Sequence, residues 1–269
     1  MSPVPNIIWS FWDSPEPPEL VKRCVASWRE WHPTYAIRLL NRDTVKDWIR
    51  LPDLPFIDSP ARYADVLRLA LIREYGGWWM DASIFAYTTV DTLIKPAAAA
   101  TAAATSWFPQ WQPQPLDLVG YFIDNMTVDA RYPMIENWMF GAPKGSRFVA
   151  QWCDEFMGID DVDSYVTRTE QSGVDVSGIG GMKNYLAMHV AAQAVLQRRE
   201  DGVGAFNMSL HSVFEGPFKY LGDAGWDTSA ALALVCDDPD KKYKRTFLKL
   251  RGSDRYLIDT PEKIRCFTG

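Results

Sequence analysis

Histidine and cysteine are scarce: 3 and 4 in 269 residues. Cys24, Cys153, Cys236 and Cys266 lie far apart and form no CxxC pair, which argues against a zinc site or a disulfide scaffold. Four reduced thiols in a cytoplasmic protein are the expectation. Long apolar runs are missing too. The longest uncharged stretch, Pro96 to Leu116, is mostly Ala, Thr, Pro and Gln. Pro109, Pro113 and Pro115 interrupt it, so no membrane span is expected, and membrane contact would be peripheral. The N-terminal residues Met1 to Pro5 show neither the basic region nor the apolar core of a secretory leader. Positive charge is not in excess. With 28 Lys and Arg against 34 Asp and Glu, the net charge is −6, which argues against nucleic-acid binding.

What the chain does have is apolar and aromatic residues. Hydrophobic residues make up 47% and charged residues 23%, values of a globular chain rather than a disordered or fibrous one. The 12 Trp, 11 Tyr and 13 Phe can serve as flat faces for sugars and bases, but each is first a candidate for the core.

The order of elements points to an α/β fold. Asn6 to Trp12 is β-branched and aromatic and reads as a buried strand. Leu20, Cys24, Trp28 and Trp31 recur at helical spacing, and His32-Pro33 stops that helix. Tyr35 to Leu40 reads as a second strand. Asn41 to Asp43 offers an N-cap for a short helix through Trp48 and Ile49. Strand and helix alternating in this way describe a mostly parallel sheet. Next, Ser59 and Pro60 open a helix over 61–75 that Gly76-Gly77 terminates, one glycine serving as a left-handed cap. Trp78 to Phe85 reads as a strand. Residues 97–104 are almost all alanine, and 107–115 is an aromatic, proline-rich loop. Beyond these, a strand at Asn137 to Ala142, helices at 145–157 and 182–199, and a mobile polar loop at 160–181 are expected. The whole chain is read as one unit, with a donor-binding half (1–95) and an acceptor-side half (96–269) that is mainly helical.

The residues suited to chemistry surround Gly76-Gly77. Asp65 and Arg68 are three apart and share one helical face, with Arg62 a turn earlier. The chain then runs into Asp81-Ala82-Ser83. In a strand, Asp81 and Ser83 project to the same side. At the C-terminal end of a parallel strand that side faces the crevice where open α/β sheets bind ligands. An acidic residue among Trp79, Met80, Ile84 and Phe85 is costly unless paired or liganded. Such a carboxylate can hold a hard divalent cation, which in turn bridges phosphate oxygens.

The combination Ala64-Asp65-Val66-Leu67-Arg68 followed by Tyr75-Gly-Gly-Trp-Trp-Met-Asp-Ala-Ser83 resembles glycosyltransferases of the DXD sugar-binding type. Above all it resembles the capsular polysaccharide synthesis branch related to family 32. Val4 to Asp13, Pro18 to Trp28 and Tyr35 to Leu40 join the match, and Asn137 to Phe140 and Lys249-Leu250 match more weakly. The resemblance implies a GT-A, Rossmann-like fold binding a nucleotide sugar, with Mn²⁺ or Mg²⁺ on the diphosphate. Asp81 matches the first DXD aspartate and would meet metal, ribose or sugar. Asp65 and Arg68 match the pair holding sugar hydroxyls and phosphate. Trp9 lies in the strand that meets the base. Asn137 and Trp138 are candidates for the acceptor or sugar side. Retention of anomeric configuration is implied, and no enzymic nucleophile is nominated.

The sequence departs from the DXD pattern at Ser83, where an aspartate would stand. One carboxylate fewer is left for a cation, and His189, His211 and Asp254 are candidate replacements by residue type alone. For His189 a hydrogen-bonded core position is the stronger expectation. Glu136 and Asp124 offer acceptor contacts that no spacing singles out. Lys241 to Arg251 carries the dense basic run of the chain. It reads either as a solvated surface or as a tail that folds over the diphosphate, as lids do.

The function expected is transfer of a sugar from a nucleotide donor, UDP-linked, to a glycan or lipid-linked glycan. The rivals are a glycoside hydrolase with two carboxylates and a silent glycan-binding or assembly subunit.

Overall fold

The computed structural model describes residues 4–94, 115–258 and 260–268. The alanine-rich segment 97–104 and the loop at 107–114 lie outside the described residues. Strand β1 (Ile7–Phe11) leads through α1 (Glu19–Trp31) to β2 (Ala36–Leu40), which pairs with it in parallel. α1 buries Leu20, Cys24 and Trp28 as the spacing predicts. Val21 and Val25 widen that stripe, and Trp31 stays 43% exposed. The expected helix after Asn41 is one 3₁₀ turn, Val45–Asp47, with the Asn41 side chain accepting from the N–H groups of Asp43 and Thr44.

Helix α2 (Pro60–Tyr75) begins where the sequence predicts, with Ser59 Oγ accepting from Arg62 N at 3.2 Å. It ends at Gly76, whose φ of 68° is positive but whose ψ of −162° is extended, so the stop is not the left-handed cap expected. A Cβ on Gly76 would lie 2.5 Å from Lys144 N, and one on Gly77 2.4 Å from Ile7 Cγ2. Both positions therefore need glycine for space as well as for φ. The tight turn drops the chain directly into β3 (Gly77–Met80), parallel to β1.

The single strand expected at 78–85 is two. β3 stays in the main sheet, the chain turns at Asp81 to Ser83, and β4 (Ile84–Ala86) leaves to pair elsewhere. The second half contributes β5 (Leu118–Phe122) and β6 (Ile135–Ala142), followed by α3 (Arg147–Met157), α4 (Val162–Gln171) and α5 (Ala187–Gln197). α4 corrects the mobile loop expected at 160–181. Asp161 caps it by accepting from Ser164 N, and Tyr165, Val166 and Thr169 are buried. Then come β7 (Met208–Ser212), α6 (Lys219–Asp223), α7 (Thr228–Cys236), β8 (Phe247–Lys249), α8 (Gly252–Ile258) and α9 (Pro261–Thr268). The second half is therefore less exclusively helical than expected.

The main sheet has the order β2-β1-β3-β6-β5-β7, with β6 antiparallel to both its neighbours and the other strands running one way. This is the mostly parallel α/β sheet predicted. α2 packs on β1, β3 and β6 and against α3, which in turn packs on α5. Trp9, Trp28, Trp78, Trp79 and Trp152 are all 0–1% exposed, so much of the tryptophan builds the core. β4 and β8 form a second, two-stranded antiparallel sheet beside α1. Among the described residues no helix is long and apolar enough to cross a membrane.

Cys236 at the end of α7 is disulfide-bonded to Cys266 in α9, which overturns the expectation of four free thiols. The two are 30 residues apart, and only the packing of α7 on α9 brings them together. Cys24 and Cys153 are free and buried. Burial pushes both thiols up in pKa and so keeps them protonated.

Candidate active site

The parallel strands β1, β2 and β3 end together, which puts Asp81 at the C-terminal edge of the sheet. β6 runs the other way, so its beginning lies at that same edge. Asp81 N donates to Trp138 O at 2.8 Å, extending the β3–β6 ladder by one bond. Asn137, one residue earlier, is thereby set at the same edge.

α2 brings Arg68 to this edge. Its side chain is 5% exposed and its donors are engaged on all sides. Nε donates to Ala64 O at 3.2 Å and Nη1 to Asn137 O at 2.8 Å. Nη2 lies 3.3 Å from both Asp65 Oδ1 and Asp81 Oδ1. The guanidinium also lies over the Trp79 ring, 5.0 Å from its centre. Arg68 thus ties two carboxylates and two elements together. Little of its side chain is open to a phosphate, and what it touches here is Asp65, Asp81 and two backbone carbonyls.

Asp65 is 13% exposed at its side chain and also accepts from Asn137 Nδ2 at 3.1 Å. Burial is the stronger influence on it and pushes its pKa up, against the pull of Arg68 and His189. Asp81 is more open, at 24%. Burial opposes its charge, but Lys249 and Arg68, with the Trp79 indole N–H at 2.9 Å, outweigh that and hold its pKa below the usual carboxylate range.

The residue that sequence reasoning did not place in the site is Lys249. Its Nζ lies 2.9 Å from Asp81 Oδ2 and 2.8 Å from Ser83 Oγ. β8 pairs with β4 so that Ile84 faces Lys249, and Leu250 N donates to Ser83 O at 2.9 Å. The basic run is therefore not a free tail at this point: Lys249 is 9% exposed and sits in a strand. Its neighbours are also engaged, Lys242 on Asp223 and Arg251 on Asp254. The weak Lys249-Leu250 match was the sequence signal that could have found it.

Asp81 and Ser83 do lie side by side, both within reach of Lys249 Nζ, but they do so in a turn and not by the strand alternation expected. Trp9 is corrected to the core. It is 0% exposed, its indole donates to Gly76 O at 3.0 Å, and its ring packs on Trp48 and Tyr75. At the end of β1 the partly exposed aromatic is Trp12, with the Arg255 guanidinium 5.4 Å from its ring centre. Trp138 is 5% exposed and stacks on Tyr121, so it packs rather than receives. Arg62 donates to Asn184 O at 2.9 Å and makes no bond to Asp81, though its charge still acts on Asp65. Asn137 does join the site, as a bracket between Asp65 and Arg68.

The candidate metal ligands do not gather at Asp81. His189 is the hydrogen-bonded core histidine expected, 3.2 Å from Glu136 Oε2. His211 lies against Leu93 O at 2.8 Å, and Asp254 is held by Arg251 and Tyr220. Asp124 accepts from Ser212. Among the described residues no cluster of three or more His, Cys, Asp and Glu is formed that could hold a metal. Both oxygens of Asp81 already face cationic side chains, and the Ser83 hydroxyl accepts from Lys249 while donating to Leu250 O at 3.0 Å. As arranged, these donors do not fit a divalent cation.

The sheet and the residues at its edge define an α/β protein with a cluster of paired charges at the strand ends. The chain belongs to the capsular polysaccharide synthesis protein family, whose pattern matches residues 2–157, more than half its length. That span includes Asp65, Arg68, Asp81, Ser83 and Asn137 and leaves out Lys249. No curated protein matches the chain. Among solved structures it is similar to a glycosyltransferase involved in the glycosylation of the major capsid of PBCV-1. The identity is 12%, the coverage 97% of each chain and the TM-score 0.43. It is also similar to PaToxG glycosyltransferase, at 11% identity over 100% of this chain and 88% of the other, with a TM-score of 0.41. Likenesses this distant carry no argument about the site.

Proposed function

We propose that the chain is a glycosyltransferase that moves a hexose or related sugar from a UDP-sugar to a glycan or lipid-linked glycan, with retention of configuration. The observation that carries the reading is the convergence of Asp65, Arg68 and Asp81 at the C-terminal edge of the parallel strands in a chain of the capsular synthesis family. Glycosyl transfer needs negative charge stabilised on a departing diphosphate and hydroxyl acceptors that orient the sugar. Asp81, ionised and partly open, is suited to accept from sugar or ribose hydroxyls. Arg68 and Asn137 keep it and Asp65 in place, so little reorganisation accompanies donor binding.

The test is a panel of nucleotide sugars offered to the purified protein, read by thermal shift and by release of nucleoside diphosphate. One donor should raise the unfolding midpoint and be turned over. Failure of every donor to do either would sink the reading.

One observation favours a glycoside hydrolase: the pKa values of Asp65 and Asp81 are pushed in opposite directions, as in an acid and base pair. Against it, the Asp65 carboxyl is nearly covered and engaged by Arg68 and Asn137, a poor position for giving a proton to a leaving group. Cleavage of a synthetic glycoside without nucleotide would decide for it.

A further inference from the structure

We propose that Lys249 supplies the cation of the diphosphate site and that donor binding needs no divalent metal. The inference rests on the glycosyltransferase reading and says how that site meets its phosphates.

An ammonium carries three N–H groups. Two of Lys249's go to Asp81 Oδ2 and Ser83 Oγ, and among the described residues no acceptor takes the third. Ser83 has one hydrogen, which it gives to Leu250 O, and it accepts from Lys249. Serine at this position therefore works as a holder of the lysine. An aspartate here would add a second charge facing Nζ.

Charge gives the same answer. Asp81 is already met by two cations, Arg68 and Lys249, before any ligand arrives. A divalent cation bound at Asp81 would sit against a guanidinium and an ammonium that already contact the same carboxylate, with repulsion strengthened by burial.

Placement gives it a third time. Lys249 is fixed through its backbone: β8 pairs with β4, Lys249 N donates to Pro217 O at 3.2 Å, and Tyr220 Oη donates to Lys249 O at 2.8 Å. Its side chain keeps 11% exposure, where that of Arg68 keeps 5%. A preorganised cation with a spare donor, beside the carboxylate that would orient the sugar, can hold a phosphate oxygen by a charge-assisted bond.

The experiment is calorimetric titration of UDP, with GDP and ADP in parallel, into the full chain in excess chelator and again in Mn²⁺. Nucleotide affinity should agree within about threefold between the two conditions, and Lys249→Met should weaken it about tenfold or more. Lys249→Arg should keep more of the affinity than Lys249→Met. Binding by the wild type only when Mn²⁺ is present would overturn the inference while leaving the glycosyltransferase reading intact. Undiminished affinity in a folded Lys249→Met protein would overturn it as well. Absence of binding to every nucleotide, with or without Mn²⁺, would remove both. The chelator comparison uses the unmodified chain, so it decides even if the variants fold poorly.

Discussion

Asp117 and Asp81 are two covered carboxylates that each meet an arginine, and their partners differ in kind. Asp117, 2% exposed at its side chain, accepts from Arg147 N at 2.9 Å, Asn207 N at 3.1 Å and the Arg147 guanidinium at 2.6 Å. Two of those donors are backbone groups, fixed by the start of α3 and the approach to β7. Asp81 receives its bonds from side chains, two of them cationic, and keeps a quarter of its side chain open. A backbone N–H cannot turn to a ligand unless the chain moves. An ammonium can share itself with one. The first arrangement fastens loops together, and the second leaves capacity to bind.

The comparison breaks most visibly if Asp81→Asn keeps full turnover. The expected result is a loss of transfer of about a hundredfold or more, the scale for removing a preorganised electrostatic group. Its unfolding midpoint should fall less than that of the Asp117 variant. Asp117→Ala should take the carboxylate acceptor from the Arg147 N–H, at about 1–3 kcal/mol. Its midpoint should drop by several degrees while UDP affinity in the folded protein stays the same. A midpoint equal to wild type, read by scanning calorimetry, would place Asp117 with the exchangeable groups.

The smallest effect concerns acid. Asp81 has a depressed folded pKa, so its contribution is present above its unfolded value, near 3.8, and is lost as pH falls through the folded one. Asp65 has a raised folded pKa, so its contribution is present below that value and is lost as pH rises through the folded one. Denaturant titrations across the carboxylate range should therefore show wild type gaining stability over Asp81→Asn with rising pH, and losing it relative to Asp65→Asn. Slopes of the same sign would merge the two carboxylates into one role.

Local features were readable in the sequence. Ser59, Pro60 and the two glycines bracket α2 because capping and chain reversal are settled within a few residues. The stripe of α1 and the parallel pairing of β1 with its neighbours followed from period and order. What stayed hidden depends on distant pairing. Asp81 to Ser83 became a turn because β4 is drawn away by β8, and nothing near residue 84 announces a partner at 249. Lys249 looked like one more surface cation in a basic run. Trp9 looked like a base platform because its strand was right, yet its alternation points it under α2. Cys236 and Cys266 meet through helix packing that spacing does not encode, and α4 was missed because its polar face outweighed three buried residues.

The bond between Lys249 and Asp81 spans 168 positions. A fragment ending before residue 247 would take from β4 its partner strand and strip Asp81 and Ser83 of their shared counter-ion. The halves of this chain are thus not separable tools. Whatever severs the late strand disarms the early carboxylate, so chains shortened from the C-terminal side should be judged by what they can still bind before they are judged by how well they fold.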